Sequence, residues 1–387
     1  MALIAVAVGL FVALRIGLSL LGAFLATRGL PSPCHFEEAL NGWRTLPELL
    51  RDGPAFPLAG IWERWDACWY MKIATYGYEP GERSVAFFPL FPAAVRLVGT
   101  ITALPYPVAG MIVSGGSYIA AVAGLMRLVG TSHGERIGRR TALLLSISSS
   151  AFFLLAPFSE ALFLATSVWS IVLARQRRWP LAIVCAALAG LTRPQGLLLA
   201  LPIAWEALVA FREARRADGA RVEWTRVGLS GLAVLAPIAA FVGFGLVARS
   251  ITGETPYDAQ SLWGGTEFHP PWAVVAASAG WIIERGDALQ ALNLIVLIGA
   301  ALLLVIGAPR MPAVYSLYAW PPLLLIATRI QPTPLTSTTR YILVIFPIFV
   351  VAALLTEHRW VRALWIVLSL IGLGWLTAQF VQGEFVA

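Results

Sequence analysis

Asp66 lies in the segment of the chain that carries the clearest chemical signal, Trp62–Tyr78 (WERWDACWYMKIATYGY). Helical spacing of 100° per residue puts this carboxylate on one face with apolar and aromatic side chains: Trp62, Trp65, Asp66, Trp69 and Ile73. Faces rich in tryptophan settle at the membrane–water interface. Asp66 is therefore a candidate general base, and capping of a helix that starts at Ala67 is the alternative. For the aromatic residues the alternative is an interfacial belt that contacts no substrate.

Two arginines are candidates for binding a phosphate. Arg193 interrupts an apolar run within Thr192–Gln195 (TRPQ), and Arg340 begins another apolar run. Guanidinium groups bind phosphate oxygens in a bidentate manner. Ion pairing of both arginines with Glu160 is the alternative. Ser159 and Glu160 themselves fit the start of a helix, as cap and first-turn residue.

Other side chains are weaker candidates. Donor phosphate or lipid contacts are assigned to Lys72 and Tyr341, and possible substrate contacts to Trp65, Trp69, Tyr70, Tyr78, Phe88, Glu160, Gln195 and His269. The acidic residues near His269 lack the convergent spacing of metal ligands. Ligand spacing therefore does not support a metal site, a divalent metal stays an open alternative, and no other cofactor is predicted. Cys34, Cys68 and Cys185 lack a paired motif, although Cys34 and Cys68 are able to pair if both lie outside.

The elements that position these residues are membrane-spanning helices. Of the 387 residues 58% are hydrophobic and 13% charged, with a mean hydropathy of +0.76, which excludes a water-soluble domain. The net charge is +7, and almost all of the positively charged residues are arginines that lie between apolar runs. This pattern sets membrane topology and does not predict a nucleic-acid partner. Arg15 lies inside the first apolar run. A charge there indicates either a functional role or a side chain that snorkels to the interface.

Arginine-rich connections fix the predicted topology, because such loops stay cytoplasmic. They predict an all-α, polytopic bundle of about eleven spans in a single domain, 1–387, with spans near Thr141–Ala156 and Tyr341–Thr356 among them. The predicted extracytoplasmic loops are a large first one, 27–106, a second at 250–286 and a short one, Arg329–Thr339. Phe87–Thr102 is predicted to be an interfacial helix, since counting it as a span would put the arginine-rich loops on opposite sides. Breaks at Pro157–Glu160 and Thr192–Gln195 predict a cavity that opens outward.

Several blocks, taken in order, resemble a known family. They are Trp65–Tyr70 (WDACWY), Ile73-Ala74, Gly77-Tyr78, Ala86–Pro92 (AFFPLFP), Pro157–Phe163 (PFSEALF), Leu191–Gly196 (LTRPQG), Thr339–Tyr341 and Phe346-Pro347. Together they are similar to the phosphatidylinositol-glycan class V (PIG-V) mannosyltransferases and their prokaryotic relatives, within the C superfamily of membrane glycosyltransferases (GT-C fold). Eukaryotic members often carry Phe-Asp where this chain has Trp65-Asp66, which leaves the acceptor open.

The resemblance implies a function. It implies an inverting transfer of a sugar, mannose, from a polyprenyl-phosphate-linked donor to a lipid or glycan acceptor in the bilayer, with Asp66 as the catalytic base. It also implies a multi-pass protein of a prokaryotic cell membrane with its active site on the extracytoplasmic face. Arg193 and Arg340 would hold the developing phosphate charge. A transporter or flippase of polyprenyl-linked or other lipids is the alternative, because broken helices also suit transport.

Overall fold

The computed structural model describes residues 2–27, 29, 56–217, 223–262, 267–330 and 333–386. Within these ranges the chain is built from α-helices and short 3-10 turns, and its only β-pairings are two isolated bridges, Phe268 with Arg329 and Ile330 with Pro334. The predicted all-α class is confirmed.

Sixteen α-helices lie in the described ranges. In chain order they are α1 Ala2–Ala26, α2 Asp66–Tyr76, α3 Leu90–Thr102, α4 Tyr106–His133, α5 Glu135–Ser146, α6 Glu160–Arg175, α7 Trp179–Gly190, α8 Ala200–Ala217, α9 Trp224–Thr252, α10 Pro256–Leu262, α11 Pro271–Arg285, α12 Ala288–Gly307, α13 Ala313–Ala327, α14 Thr338–Leu343, α15 Pro347–Leu355 and α16 Arg359–Val381.

Six helical segments of the described chain are long and apolar enough to cross a membrane: Ala2–Ala26, Tyr106–His133, Pro194–Arg216, Trp224–Thr252, Ala288–Arg310 and Arg359–Val381. The polytopic helical bundle is therefore confirmed. The total of eleven spans stays a prediction, because the other apolar helices, such as α7 and α13, are shorter. Helix α3 has 13 residues and rises about 20 Å, less than the ~30 Å hydrocarbon core.

Two predicted spans are broken in the middle. Helix α5 ends at Ser146, and a 3-10 turn, Ala151–Leu154, follows it. The predicted single span Tyr341–Thr356 is two helices, α14 and α15, because Pro347 cannot donate the backbone hydrogen bond that would continue α14. Broken helices bring polar backbone and side chains to the interior of the bundle.

Arg15 contacts protein inside the bundle. Its Nη1 donates to the Leu155 carbonyl at 3.4 Å, and its guanidinium lies 5.8 Å from the ring centre of Trp62. The carbonyl belongs to the irregular segment before α6, where a backbone acceptor is free. Arg15 does not line the cavity described below, and its hydrogen bond connects α1 to the segment that follows α5.

Candidate functional site

A cavity of about 500 Å³ lies where the breaks in the helices meet. Its polar wall contains Asp66, Arg193, Arg340 and Arg329, and its apolar wall contains Phe87, Phe88, Phe241, Pro322, Leu325 and Ile326. The cavity thus joins charged groups to a surface that suits a hydrocarbon chain.

Asp66 is the first residue of α2, and its carboxylate does not cap that helix. The cap position belongs to Trp65, and no side-chain capping hydrogen bond is formed there. Asp66 Oδ2 instead accepts a hydrogen bond from Arg340 Nη1 at 2.5 Å. The capping explanation of Asp66 is therefore wrong.

Trp65 turns the chain so that Asp66 faces the cavity. Its φ of 54° and ψ of −123° are unusual for a residue with a side chain. Its indole Nε1 donates to the Glu384 carbonyl at 3.1 Å, and its ring meets Phe385 edge-on with centres 4.8 Å apart. Contacts with the segment that follows α16 thus hold the strained turn that orients the aspartate.

Glu160 lies at the centre of a charge cluster. It accepts hydrogen bonds from Arg193 Nη1 and Arg340 Nε, both on the same oxygen, Oε1. The Glu160 side chain is fully buried, and those of the two arginines are nearly so. The ion-pairing explanation of Arg193 and Arg340 is therefore observed.

The charges of this cluster balance. Two guanidinium groups, Arg193 and Arg340, face two carboxylates, Asp66 and Glu160. The structure thus gives the two arginines partners other than a phosphate. Only Asp66 among the four keeps a quarter of its side chain, 26%, exposed.

Ser159 links the cluster to α2. Its hydroxyl lies 2.8 Å from the Tyr70 hydroxyl and accepts from Arg193 Nη1 at 3.2 Å, so Ser159 does not cap α6 with its side chain. Burial raises the pKa of the Tyr70 hydroxyl, so it stays protonated even above the ordinary tyrosine pKa of about 10.

Close backbone packing positions Arg193. A Cβ added to Gly196 would lie 2.2 Å from the Ala189 carbonyl oxygen, so only glycine lets the 3-10 turn Pro194–Leu199 fold against the end of α7. Arg193 lies at the start of this turn, and its guanidinium is 5.7 Å from the ring centre of Tyr341.

Arg340 is held in place by hydrogen bonds to the backbone of the preceding residue, Thr339. Ser150 Oγ donates to the Thr339 carbonyl at 2.8 Å, and the Thr339 N–H donates to Asn293 Oδ1 at 3.2 Å. The Arg340 guanidinium lies 4.7 Å from the ring centre of Phe158. Residues from the broken segment after α5 and from α12 therefore hold α14 in place.

The aromatic residues of α2 pack on the Ala86–Pro92 segment. Trp69 and Phe87 stack with ring centres 5.5 Å apart, and Phe88 lies 5.7 Å from Phe241 on α9. Tyr78 donates to the Phe87 carbonyl at 2.7 Å. This packing forms the wall of the cavity.

The structure places most predicted site residues on the cavity wall. Those that line it are Asp66, Arg193, Arg340, Tyr341, Trp65, Trp69, Tyr70, Phe88 and Gln195. Glu160 lies behind the wall, bound to both arginines.

Lys72, Tyr78 and His269 do not line the cavity. Lys72 is paired with Glu82, so its ammonium already has a partner. The His269 N–H donates to the Thr328 carbonyl at 2.7 Å, which places His269 beside the cavity-lining Arg329 but outside the cavity.

Sequence reasoning did not select Arg329, Tyr257, Gln260 or Phe385, which also line the cavity. For Arg329 a signal existed, because it begins the predicted outer loop Arg329–Thr339 and so breaks the positive-inside rule, as Arg193 and Arg340 do. Nothing in the local pattern singles out the other three.

Some predictions fall on parts of the chain that the structure does not describe. Cys34 lies outside the described residues, so its pairing with Cys68 stays a prediction. Among the residues that are described, no group of three or more His, Cys, Asp or Glu side chains converges as metal ligands would.

Solved structures of archaeal oligosaccharyltransferases align with this chain at low sequence identity. The Archaeoglobus fulgidus oligosaccharyltransferase tethered to an acceptor peptide aligns with a TM-score of 0.48 and 10% identity, covering 97% of this chain and 55% of that one. AglB from the same organism, in complex with an inhibitory peptide and a dolichol-phosphate, aligns with a TM-score of 0.41 and 10% identity, covering 97% and 56%.

Curated relatives are mannosyltransferases. The GPI alpha-1,6-mannosyltransferase 2 of Rattus norvegicus is 33% identical over 181 residues, 43% of this chain and 36% of the relative. The GPI mannosyltransferase 2 of Yarrowia lipolytica is 28% identical over 149 residues, 38% of this chain and 41% of the relative. The match thus spans well under half the length of either relative.

The family model described as Mannosyltransferase (PIG-V) matches residues 7–217. That range contains Asp66, Glu160 and Arg193, three of the four members of the charge cluster, whereas Arg340 lies beyond it. Because the match covers more than half of the chain, this protein belongs to the PIG-V mannosyltransferase family.

Proposed function

We propose that this protein transfers mannose from a polyprenyl-phosphate-linked donor to a hydroxyl group of a lipid or glycan acceptor, at the extracytoplasmic membrane–water interface. Family membership supports the sugar and the reaction class. The charged cavity with an apolar wall supports a donor that has both a phosphate and a hydrocarbon chain.

The exposure of Asp66 carries the proposal. Of the two carboxylates in the cluster, Glu160 is fully buried, whereas Asp66 reaches the cavity. Its Oδ2 is bound to Arg340, and within the described part of the chain its Oδ1 accepts no hydrogen bond. Oδ1 is thus available to accept the proton of an acceptor hydroxyl.

The proposed reaction is a single displacement. The acceptor oxygen bonds to the anomeric carbon, the bond from that carbon to the phosphate oxygen breaks, and the hydroxyl proton passes to Asp66. The bonding electrons leave with the polyprenyl phosphate. Attack from the face opposite the leaving group inverts the configuration, so a β-linked donor gives an α-mannoside.

The apolar wall supports entry of the donor from the bilayer. Phe241 belongs to α9 and Pro322, Leu325 and Ile326 belong to α13, and α9 is one of the segments apolar enough to span a membrane. An isoprenoid chain lying against these side chains would bury apolar surface on both partners, with its phosphate at the charged end of the cavity.

The test is sugar transfer by the purified protein. Polyprenyl-phosphate mannose is supplied with a panel of lipid and glycan acceptors, and mannosylated product is measured. Asp66→Asn keeps the size of the side chain and removes the base, so we expect transfer to fall at least about 100-fold. Glu79→Gln is the matched control, because Glu79 is an exposed carboxylate that does not line the cavity.

Two results would contradict the proposal. Full turnover in a folded Asp66→Asn protein would remove Asp66 from the reaction. Movement of unmodified polyprenyl-phosphate mannose across a vesicle membrane, without mannosylated product from any acceptor, would favour the transporter.

A further inference from the structure

Arg329 is a cationic side chain of the cavity that forms no ion pair with any described residue. It lines the same cavity as Asp66. Among the described residues no carboxylate forms a salt bridge with it, whereas Arg193 and Arg340 are each bound to at least one. Its Nε is buried and has no hydrogen-bond partner in the described part of the chain. A buried donor left without an acceptor costs free energy, which a ligand with acceptor oxygens would recover.

Positive charges outnumber negative charges around the cavity, and Arg329 carries the excess. Arg193, Arg340 and Arg329 face two carboxylates, Asp66 and Glu160, in the described part of the chain. One positive charge therefore remains, and the ion pairs assign it to Arg329. A ligand with one negative charge would neutralise the cavity.

The backbone around Arg329 is held by a neighbouring strand-like segment. Arg329 forms an isolated antiparallel bridge with Phe268, and its guanidinium lies 5.7 Å from the Phe268 ring centre. The hydrogen bond from His269 to Thr328 extends this pairing. The arginine is therefore fixed at the end of α13, next to the apolar residues Leu325 and Ile326 that line the cavity.

We propose that Arg329 binds the phosphate of the lipid donor and of the polyprenyl phosphate product, the part first assigned to Arg193 and Arg340. This inference rests on the proposed function. The phosphodiester of the donor carries one negative charge, which matches the single excess charge of the cavity. The adjacent apolar wall then receives the first isoprene units.

The reaction strengthens this contact. When the bond between sugar and phosphate breaks, the leaving phosphate becomes a monoester with a charge of about −1.5 to −2 at neutral pH. A guanidinium that is already in place binds this product more tightly than it binds the donor, which is how a fixed cation favours bond breaking. Arg329 should therefore affect kcat as well as the affinity for lipid phosphate.

The test compares polyprenyl phosphate with the uncharged polyprenol as binding probes for the purified protein in nanodiscs. In Arg329→Gln we expect polyprenyl phosphate affinity to fall on the order of tenfold or more, the effect of losing a hydrogen bond to a charged group, and polyprenol affinity to stay unchanged. Arg329→Lys should recover part of the loss, because a point charge remains. The kcat/KM for transfer from polyprenyl-phosphate mannose should be highest in the unchanged protein, lower in Arg329→Lys and lowest in Arg329→Gln.

Arg285→Gln is the matched control. Arg285 is an exposed arginine at the end of α11, it forms no salt bridge among the described residues, and it does not line the cavity. This variant should bind both probes as the unchanged protein does.

The outcomes separate the inference from the proposed function. Equal affinity of Arg329→Gln and the unchanged protein for polyprenyl phosphate would overturn the role of Arg329, even if sugar transfer is observed. Equal losses for polyprenol and polyprenyl phosphate would also overturn it, because the defect would then be structural. Failure of the unchanged protein to transfer mannose would reject the proposed function, while selective loss of phosphate binding would still support the phosphate site.

Discussion

Arg340 Nη1 lies 2.5 Å from Asp66 Oδ2, although the two residues are 274 positions apart in the chain. The same guanidinium donates to Glu160 through Nε. Arg340 thus joins the exposed carboxylate that we assign to the reaction to the buried carboxylate behind it. Its planar group fixes the direction of one Asp66 oxygen and leaves the other open to the cavity.

Arg340→Lys should reduce sugar transfer, by about tenfold or more, because one ammonium cannot reproduce the fixed fork that binds two carboxylates. Transfer rates and unfolding temperatures of the purified protein test this. The matched control is Arg177→Lys, since Arg177 also pairs with two carboxylates, Glu206 and Glu213, outside the cavity. A similar loss of transfer in both variants would contradict a specific role for Arg340.

Glu160→Gln should destabilise the protein strongly. Among the described residues it leaves the two buried guanidinium groups of Arg193 and Arg340 with only Asp66 as a carboxylate partner, and breaking a buried ion pair costs about 3–5 kcal/mol. The double variant Glu160→Gln/Arg193→Gln removes one charge of each sign and should recover part of the loss, as a double-mutant cycle would show. Thermal unfolding in detergent measures both. If the two single losses simply add, Glu160 and Arg193 do not interact.

Gly196→Ala should lower both stability and transfer, because the new Cβ would lie 2.2 Å from the Ala189 carbonyl oxygen and displace the turn that carries Arg193. The control is Gly299→Ala within α12, where an added Cβ has no neighbour within 4 Å. Alanine is favoured over glycine in a helix by roughly 0.5–1 kcal/mol, so the control should be neutral or stabilising. Unfolding temperatures that shift equally in both variants would refute the close packing.

Tyr70→Phe should change the pH dependence of stability in the alkaline range. Burial raises the pKa of Tyr70 in the folded protein, so its contribution is complete below the unfolded pKa of about 10. It is lost as the pH rises above that value, because the unfolded chain releases the proton first. The fall in unfolding temperature between about pH 9 and pH 11 should therefore be smaller in Tyr70→Phe. An identical fall in both proteins would show that Tyr70 titrates normally.

Much of the site is predictable from local pattern. Asp66 stands out as a carboxylate among tryptophans, and Arg193 as an arginine in a helix break. The break itself is confirmed by the 3-10 turn at Pro194–Leu199. Such features depend on neighbours in the chain, which sequence periodicity and proline positions report directly.

The partners of these residues are not predictable in the same way. The sequence offers ion pairing of Glu160 with Arg193 and Arg340 only as an alternative, since Glu160 fits a helix start equally well. The ion pairs of the folded bundle decide between the two. The absence of a carboxylate at Arg329, within the described residues, is likewise a property of the assembled bundle. The support of Trp65 by Phe385 joins two segments whose sequences give no sign of contact.

The order in which the chain is synthesised gives the charge cluster a further significance. Asp66, Glu160 and Arg193 leave the ribosome before Arg340, so an early membrane intermediate holds two carboxylates and one guanidinium of this cluster. Among these four residues the charges become equal in number only when Arg340, the last of them to be synthesised, is present.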